Sequence, residues 1–406
     1  MASTLDLCRW LQKNNEPLLH QFMDRYISDK EHVYTELKML DHANKILHEK
    51  SDVQSQIALG KNYNDMHQFD KAYEALIEIE AENAYDEFYK NHALAIALYY
   101  SDGPYIDTAY TILHALLDYD LPEVITNQAK PALASYYFKN NDFKKAIEYM
   151  HVSDDPVYPN TIYWNGVVTP GLKITIGYNG GIGDQIVCAR FYKHFEELGM
   201  IPFINTNNSH LKFVFENNGL RCIDSFDGVV CNIIGNSCDI PYLLKLESKD
   251  VWYGPYLKPS IDSIVKFSNC KGIGVQWSGD NDYAFHDTRY VEINDLIGAL
   301  PNGVNKYSLN VVDSTEHLID MRSQLKTIDD TMGLIYNLDY VITSDTSVAH
   351  MAAAMGKKVF VLVPISGFYT WSMNVWYDNV YCYYQKAFKK WDYSEIKKEI
   401  DQWLIN

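Results

Sequence analysis

The sequence predicts a mixed chain: an all-helical first part built from a repeat, then two α/β layers with parallel strands. Three observations carry this. A helical pattern recurs every 37 residues between residues 51 and 150. Glycine is sparse before residue 160, and after about residue 168 short β-branched runs alternate with helical patterns. Strand-then-helix alternation is the signature of parallel sheets with helices on both faces. The 406 residues imply two or three domains at ~100–200 residues each. Hydrophobic residues at 47% and charged residues at 22% exclude a disordered chain.

In chain order, residues 1–50 carry helical patterns that match the repeat register poorly and read as a terminal cap. The repeat proper aligns Leu59, Ile96 and Leu133, then Gly60, Ala97 and Ala134, then Tyr63, Tyr100 and Tyr137. Phe69, Ile106 and Phe143 follow, then Ala72, Ala109 and Ala146, then Leu76, Leu113 and Met150. Each copy reads as a helix pair. The first small residue admits a second helix, the tyrosine fills the groove, and the second small residue (in FDKAYEAL and FKKAIEYM) sits at the crossing. Six aligned positions in three copies favour a repeat over a plain bundle with coincidental spacing. The pattern resembles the tetratricopeptide repeat, whose period is ~34 residues. Such repeats stack into a curved surface that docks a peptide or protein.

The charge is uneven. Residues 1–160 hold 26 acidic and 14 basic side chains, residues 161–406 hold 27 and 21, and the whole chain carries −18. An acidic surface repels phosphate backbones, so neither nucleic acid nor an anionic membrane is an expected partner. Seven cysteines without a C-x-x-C pair indicate neither a disulfide framework nor a zinc knuckle. MASTLDLCRWLQKNNEP lacks the apolar core of a signal peptide, and no run approaches ~18 apolar residues. The expectation is a cytoplasmic protein with no membrane span.

The composition changes in HVSDDPVYPNTIYWNG, rich in Pro, Asp and Asn. A helical repeat domain is therefore expected over 1–160, one Rossmann-like domain over 168–265 and a second over 270–406. LKITIGYN (172–179) reads as a buried strand that runs into a glycine loop and then a single helix, DQIVCARFYKHFEELG. IPFIN, RCIDSF and VVCNII follow as strands. The second set is KGIGVQWSG, YSLNVV, YVITS and KVFVLVP, with helical patterns at VEINDLIGAL, DTMGLIYNL and SVAHMAAAMG between them. Ligands of such folds bind at the carboxyl ends of strands.

Three segments at those ends carry chemistry. In the loop Gly180-Gly181-Ile182-Gly183-Asp184-Gln185, glycines permit a tight turn and leave backbone N–H groups open at a helix start. A dinucleotide-binding reading fits poorly, since position 186 is Ile and the next strand ends Asn205-Thr206-Asn207 with no acidic partner for ribose. Asp184, in the first helical turn, is either a cleft-facing general base or a simple helix cap. Second, Ser344-Asp345-Thr346-Ser347-Val348-Ala349-His350 follows the strand YVITS. Free N–H groups and hydroxyls there suit a diphosphate, and His350, one turn inside, can reach the same ligand. Third, Gln276-Trp277-Ser278-Gly279 ends a buried strand and is followed by His286-Asp287-Thr288-Arg289. Arg289 can pair with phosphate or form a surface ion pair with Asp287. Trp277 either lines a base or sugar pocket or belongs to the core. No spacing of H-E-x-x-H type indicates a metal.

Together, GGIGDQI, CDIPYLLKLE, GPYLKP, IGVQWSG with FHDTRYVEI, and DTMGLIYNLDYVITSDTSVAHMAAAMGKKVFVLVP followed by FYTW resemble the family 9 glycosyltransferases. These are of the ADP-heptose:lipopolysaccharide heptosyltransferase type. The resemblance is greatest to bacterial proteins that fuse tetratricopeptide repeats to such a domain, and it covers about residues 170–385. It implies a GT-B fold and inverting, metal-independent transfer from a nucleotide-diphosphate sugar, with no cofactor. Asp184 matches the catalytic Asp of the family's G-D motif, and Asp345, Thr346 and His350 match its donor-binding D-T-x-x-x-H segment. Trp277, Ser278, Gly279, Asp287 and Arg289 occupy the donor-side region. Repeat-fused relatives usually carry N-D-R-x-R-S where this chain has HDTRYVEI; the phosphate-pairing Lys of the heptosyltransferases has no clear counterpart, and the resemblance implies Arg289 as its substitute. The active-site motifs of protein O-GlcNAc transferases, which share the repeat-plus-GT-B plan, are not found. The acceptor implied is a glycan, a lipid-linked sugar or a protein, with the repeats docking a protein partner or a second copy. The alternatives are a non-catalytic sugar-nucleotide-binding scaffold and a retaining or epimerase-type enzyme.

Overall fold

The computed structural model describes residues 4–101, 105–151, 163–177, 181–224, 231–234, 239–279, 286–311, 315–365, 371, 375–386 and 390–405, with backbone alone at 231–234 and 286–287. The linker HVSDDPVYPNTIYWNG and Gly180 therefore lie largely or wholly outside the described residues. The chain divides into two compact units, Met1–Leu133 and Ala134–Asn406.

The first unit is helical. Thr4–Asn14, Glu16–Tyr26, Lys30–Glu36 and Leu40–Leu47 share a small core of Cys8, Leu11, Leu19, Met23, Tyr34, Leu37 and Ala43. Val53–Asp65 then pairs with Phe69–Ile77, and Ala84–Tyr100 with Ile106–Leu116. Asp52 and Asn83 start the longer helix of each pair by accepting backbone N–H groups of the first turn. His67 turns the first pair with a left-handed φ of 58°. Several of the aligned small residues lie where helices pack closely. A Cβ on Gly60 would sit 2.4 Å from Leu76 Cγ, so only glycine admits the partner helix at that crossing. Ala72, Ala97 and Ala109 are fully buried. In the third copy, the helix Phe143–Met150 falls in the second unit. There it packs on Asp239–Leu243, and the Phe143 ring lies edge-on to Trp376 at 6.3 Å.

The second unit holds two parallel sheets. The first contains β1 (Lys173–Gly177), β2 (Ile201–Asn205), β3 (Cys222–Ile223) and β4 (Cys231–Ile234), in the order β3-β2-β1-β4. The second contains β5 (Ile273–Gln276), β6 (Lys306–Ser308), β7 (Tyr340–Ser344), β8 (Lys358–Val363) and β9 (Val380–Tyr384), in the order β6-β5-β7-β8-β9. Every described pairing is parallel. Ile273, Val275, Val341, Ile342, Val359, Phe360, Val361 and Leu362 are fully buried, as the unbroken apolar runs require of strands covered on both faces. Gly274 is needed between them, because a Cβ would meet Leu309 at 2.7 Å and Leu338 at 2.9 Å.

Several elements differ from the sequence expectation. The helix after the glycine loop is interrupted: Ile182–Ala189 ends, and Tyr192–Glu197 follows. The break comes at Arg190, a buried cation that donates from Nε to Val187 O. β9 is an additional strand, an aromatic segment whose partly exposed residues pair with β8 along one edge.

In each sheet the strand order reverses beside the first strand in sequence. β1 has β2 on one side and β4 on the other, and β5 has β6 and β7. Loops leaving such a switch point diverge and open a crevice at the carboxyl ends of the strands. Gly181 follows β1, Ser278 and Gly279 follow β5, and Asp345 to Ser347 follow β7.

Candidate active site

These loops meet at one cavity of about 870 Å³. Its lining includes Gly181, Gly183 and Asp184 from the first sheet's loop, and Ser278, Gly279, Arg289, Asp345, Thr346, Ser347 and His350 from the second. Nearly all the residues singled out from the sequence are thus brought together. Gly180 and the side chain of Asp287 lie outside the described residues. Trp277 is a correction to the pocket expectation. It is 2% exposed and packs with Val275, Val291 and Leu296 in the core of the second sheet, so it supports the loop from behind. Alternation along a strand explains this: Gln276 and Ser278 reach the cavity, and Trp277 points the other way.

Asp184 stands at the third position of the helix Ile182–Ala189, where its Oδ2 accepts the Gly181 N–H at 3.0 Å. It is therefore a cap, and it also lines the cavity. Burial pushes its carboxyl up to about 6, against the stabilising Gly181 N–H, with the nearby Asp345 adding and Arg289 opposing. A carboxylate that titrates there is ionised at neutral pH and remains a usable proton acceptor.

Gly183 permits the contact between the two loops. A Cβ there would lie 2.7 Å from His350 Cδ2 and 3.5 Å from the Ser347 backbone. His350 is 5% exposed, stacks on Trp371 at 4.5 Å and pairs through Nδ1 with Tyr377 Oη at 3.2 Å. Burial first, then the Arg190 and Arg289 cations, hold its imidazole down at about 3, so it is neutral and serves only as a hydrogen-bonding group.

The helix Ser347–Ala354 begins at Thr346 without a side-chain cap. The Thr346 hydroxyl instead shares a hydrogen bond with Thr343 Oγ1 at 3.2 Å. Asp345 does not cap either: its Oδ1 accepts from Trp371 Nε1 at 2.8 Å, and its Oδ2 lies 3.5 Å from Arg289 Nη2. The start of this helix therefore faces the cavity uncapped by either neighbour, an arrangement that favours an anion. Arg289, mostly buried, adds a cation at the same end. Ser278 is fixed by Asn310 Nδ2, 2.7 Å from its Oγ. Among the described residues, no group of three His, Cys, Asp or Glu is placed to hold a metal ion.

Sequence reading missed part of the lining. Asn310 and Val311 follow β6, and Lys326, Thr327 and Thr331 come with the helix Ile328–Asn337. Thr327 carried a readable signal, since T-x-x-D before an apolar run is a capping box, and Thr327 Oγ1 does accept the Asp330 N–H at 3.0 Å. Asn208 and His210 line the cavity from the loop and helix after β2 and had no signal.

No family model and no curated protein matches the chain. Among solved structures, it is similar to a family 9 glycosyl transferase from Veillonella parvula DSM 2008. The TM-score is 0.37 at 12% identity, over 59% of this chain and 92% of that one. It is also similar to an O-GlcNAc transferase mutant from Thermobaculum terrenum, with a TM-score of 0.32 at 12% identity, over 100% of this chain and 94% of that one. Likenesses this distant decide neither fold nor activity, and the geometry of the cavity has to stand by itself.

Proposed function

We propose that the chain is a glycosyltransferase of GT-B type that moves a sugar from a nucleotide-diphosphate donor to an acceptor hydroxyl, with inversion and without a metal. The observation that carries this reading is the pairing, in one cavity, of a carboxylate titrating near 6 with an uncapped helix start and an arginine. Asp184 takes the proton from the acceptor hydroxyl as its oxygen attacks the anomeric carbon. The bond from that carbon to the diphosphate breaks in the same step, so a single displacement inverts the centre. Arg289, His350 and the N–H groups at Ser347 and Val348 receive the negative charge that collects on the leaving diphosphate. The cation and the helix start do there what a divalent ion does elsewhere.

The helical unit, with its acidic surface, is proposed to hold the acceptor, a protein partner or a second copy. The transferase reading is preferred to a binding-only scaffold because a scaffold has no use for a raised carboxylate opposite the anion site. The test is a panel of nucleotide sugars, with hydrolysis and transfer followed in the wild type and in Asp184→Asn, with and without EDTA. Turnover lost in the variant, nucleotide binding retained, and indifference to EDTA support the reading. Binding without turnover from every donor would favour the scaffold.

A further inference from the structure

Behind His350 lies a group that the proposed chemistry has not used. Arg190 is fully buried, and among the described residues no carboxylate pairs with it. Its guanidinium sits over the rings of Tyr377 at 4.4 Å, Trp376 at 5.4 Å, Tyr256 at 5.5 Å and Trp252 at 5.8 Å. It donates to Val187 O and Trp376 O, and the Tyr256 and Tyr377 hydroxyls lie within its reach. Four aromatic faces thus balance a cation that would otherwise be costly to bury.

The protons of the neighbouring hydroxyls can be placed. Tyr256 Oη donates to Ile186 O at 2.9 Å, and a carbonyl can only accept. The Tyr377 proton then has two possible acceptors: Tyr256 Oη at 3.5 Å and His350 Nδ1 at 3.2 Å. The shorter contact is to the histidine, and the other is at the limit of a hydrogen bond. The Arg190 charge favours the same choice. A cation over the Tyr377 ring strengthens its hydroxyl as a donor. With Nδ1 accepting from Tyr377, the single proton of the neutral imidazole is on Nε2. The far edge, Cδ2 and Nε2, is the one that faces Gly183 and the glycine loop.

We propose that Arg190 and Tyr377 are positioning residues that lock His350 in the tautomer with its proton on Nε2, aimed as a donor at the anion site. With the proton on Nδ1, Nε2 would instead present a lone pair to an anion and repel it. Neither residue touches the cavity, so both act through His350. The role of the donated hydrogen bond rests on the transferase reading above, whereas the tautomer does not.

The experiment uses the full chain with 15N-labelled histidine. Long-range 15N–1H correlation distinguishes the two neutral tautomers, and the His350 signals are those lost in His350→Gln. The expected wild-type pattern is Nε2–H, unchanged between about pH 5 and 8. The groups facing His350 are Arg190, Arg289 and Tyr377, with Asp184 one residue beyond Gly183. Tyr377→Phe, which removes only the hydroxyl, should give a mixture of tautomers, and Arg190→Met should do the same. An Nδ1–H pattern in the wild type overturns the proposal, and so does an unchanged pattern in both variants. A second arm uses UDP and ADP as probes, for which Tyr377→Phe should weaken binding about two- to tenfold; unchanged affinity would remove the functional half. The spectroscopic arm needs no ligand, so if neither nucleotide binds, the transferase reading fails for donors of these two nucleotides while the tautomer is still measured on its own.

Discussion

Gly183 and His350 are in direct contact: a Cβ on the glycine would lie 2.7 Å from the histidine Cδ2. The glycine loop after β1 and the helix after β7 can approach this closely only because position 183 has no side chain. The same contact brings Asp184, one residue on, to the cavity that His350 lines. Gly183→Ala should therefore push the two loops apart, lowering stability by about 1–3 kcal/mol. Thermal unfolding with and without a nucleoside diphosphate would measure this. The alanine variant should also lose part of the ligand-induced rise in melting temperature. An unchanged ligand response would mean that the contact is not part of the binding site.

Asp184 is expected to set the acid limb of activity. With its carboxyl pushed up to about 6, kcat/KM should fall as pH drops through that value, because a protonated acid cannot take the acceptor's proton. Asp184→Asn should lower kcat roughly 10²–10⁴-fold while nucleotide affinity holds. A profile flat through pH 6, or a variant as fast as wild type, would reduce Asp184 to the cap it also is.

Arg289 and Asp345 form a mostly buried pair, with Nη2 and Oδ2 3.5 Å apart. Arg289→Ala should weaken nucleoside-diphosphate binding about ten- to a hundredfold through the lost charged hydrogen bond. It also leaves the Asp345 carboxylate buried beside a missing cation, so the variant should lose stability. Adding Asp345→Asn should restore part of that stability without restoring affinity. Chemical denaturation and titration calorimetry separate the two effects. A double variant no more stable than the single one would show that Arg289 does not balance Asp345.

His350 should make the fold acid-sensitive. Its imidazole is held down from 6.5 to about 3, chiefly by burial. Between those values the unfolded chain binds a proton that the folded chain does not, so stability falls as pH drops below 6.5. His350→Gln should flatten this part of the pH–stability curve. Asp184 has the opposite sign, since its raised value makes the folded chain the better proton binder below about 6. Denaturant midpoints between about pH 5 and 7.5 would show the difference, and identical slopes for wild type and variant would refute the buried neutral histidine.

The strands were legible because burial on both faces demands unbroken apolar runs, as in YVITS and KVFVLVP. β9 was missed for the converse reason: VYCYY pairs on one side only, and its residues are mostly half-exposed. The pattern of DQIVCARFYKHFEELG shows the helical period but not the break between Ile182–Ala189 and Tyr192–Glu197. Its interruption falls at Arg190, whose guanidinium is covered by Trp252, Tyr256, Trp376 and Tyr377, between 62 and 187 residues further along the chain. Periodicity reports which face a helix buries, not what a single residue meets there.

The sequence by itself determined the helical and α/β parts, the parallel strands, the glycine loop, Ser278 and Asp345 at strand ends, and His350 in the helix that follows. Those follow from local rules: period, turn chemistry and the polarity of a helix start. Only the tertiary structure decided that Trp277 turns inward, that Thr346 bonds Thr343 instead of capping its helix, and that Asp345 is held between Trp371 and Arg289. The protonation of Asp184 and His350 was decided there as well. A carboxylate and an imidazole have ordinary affinities for protons in an open chain. Loss of water around them, through packing of segments far apart in sequence, moves one up and the other down.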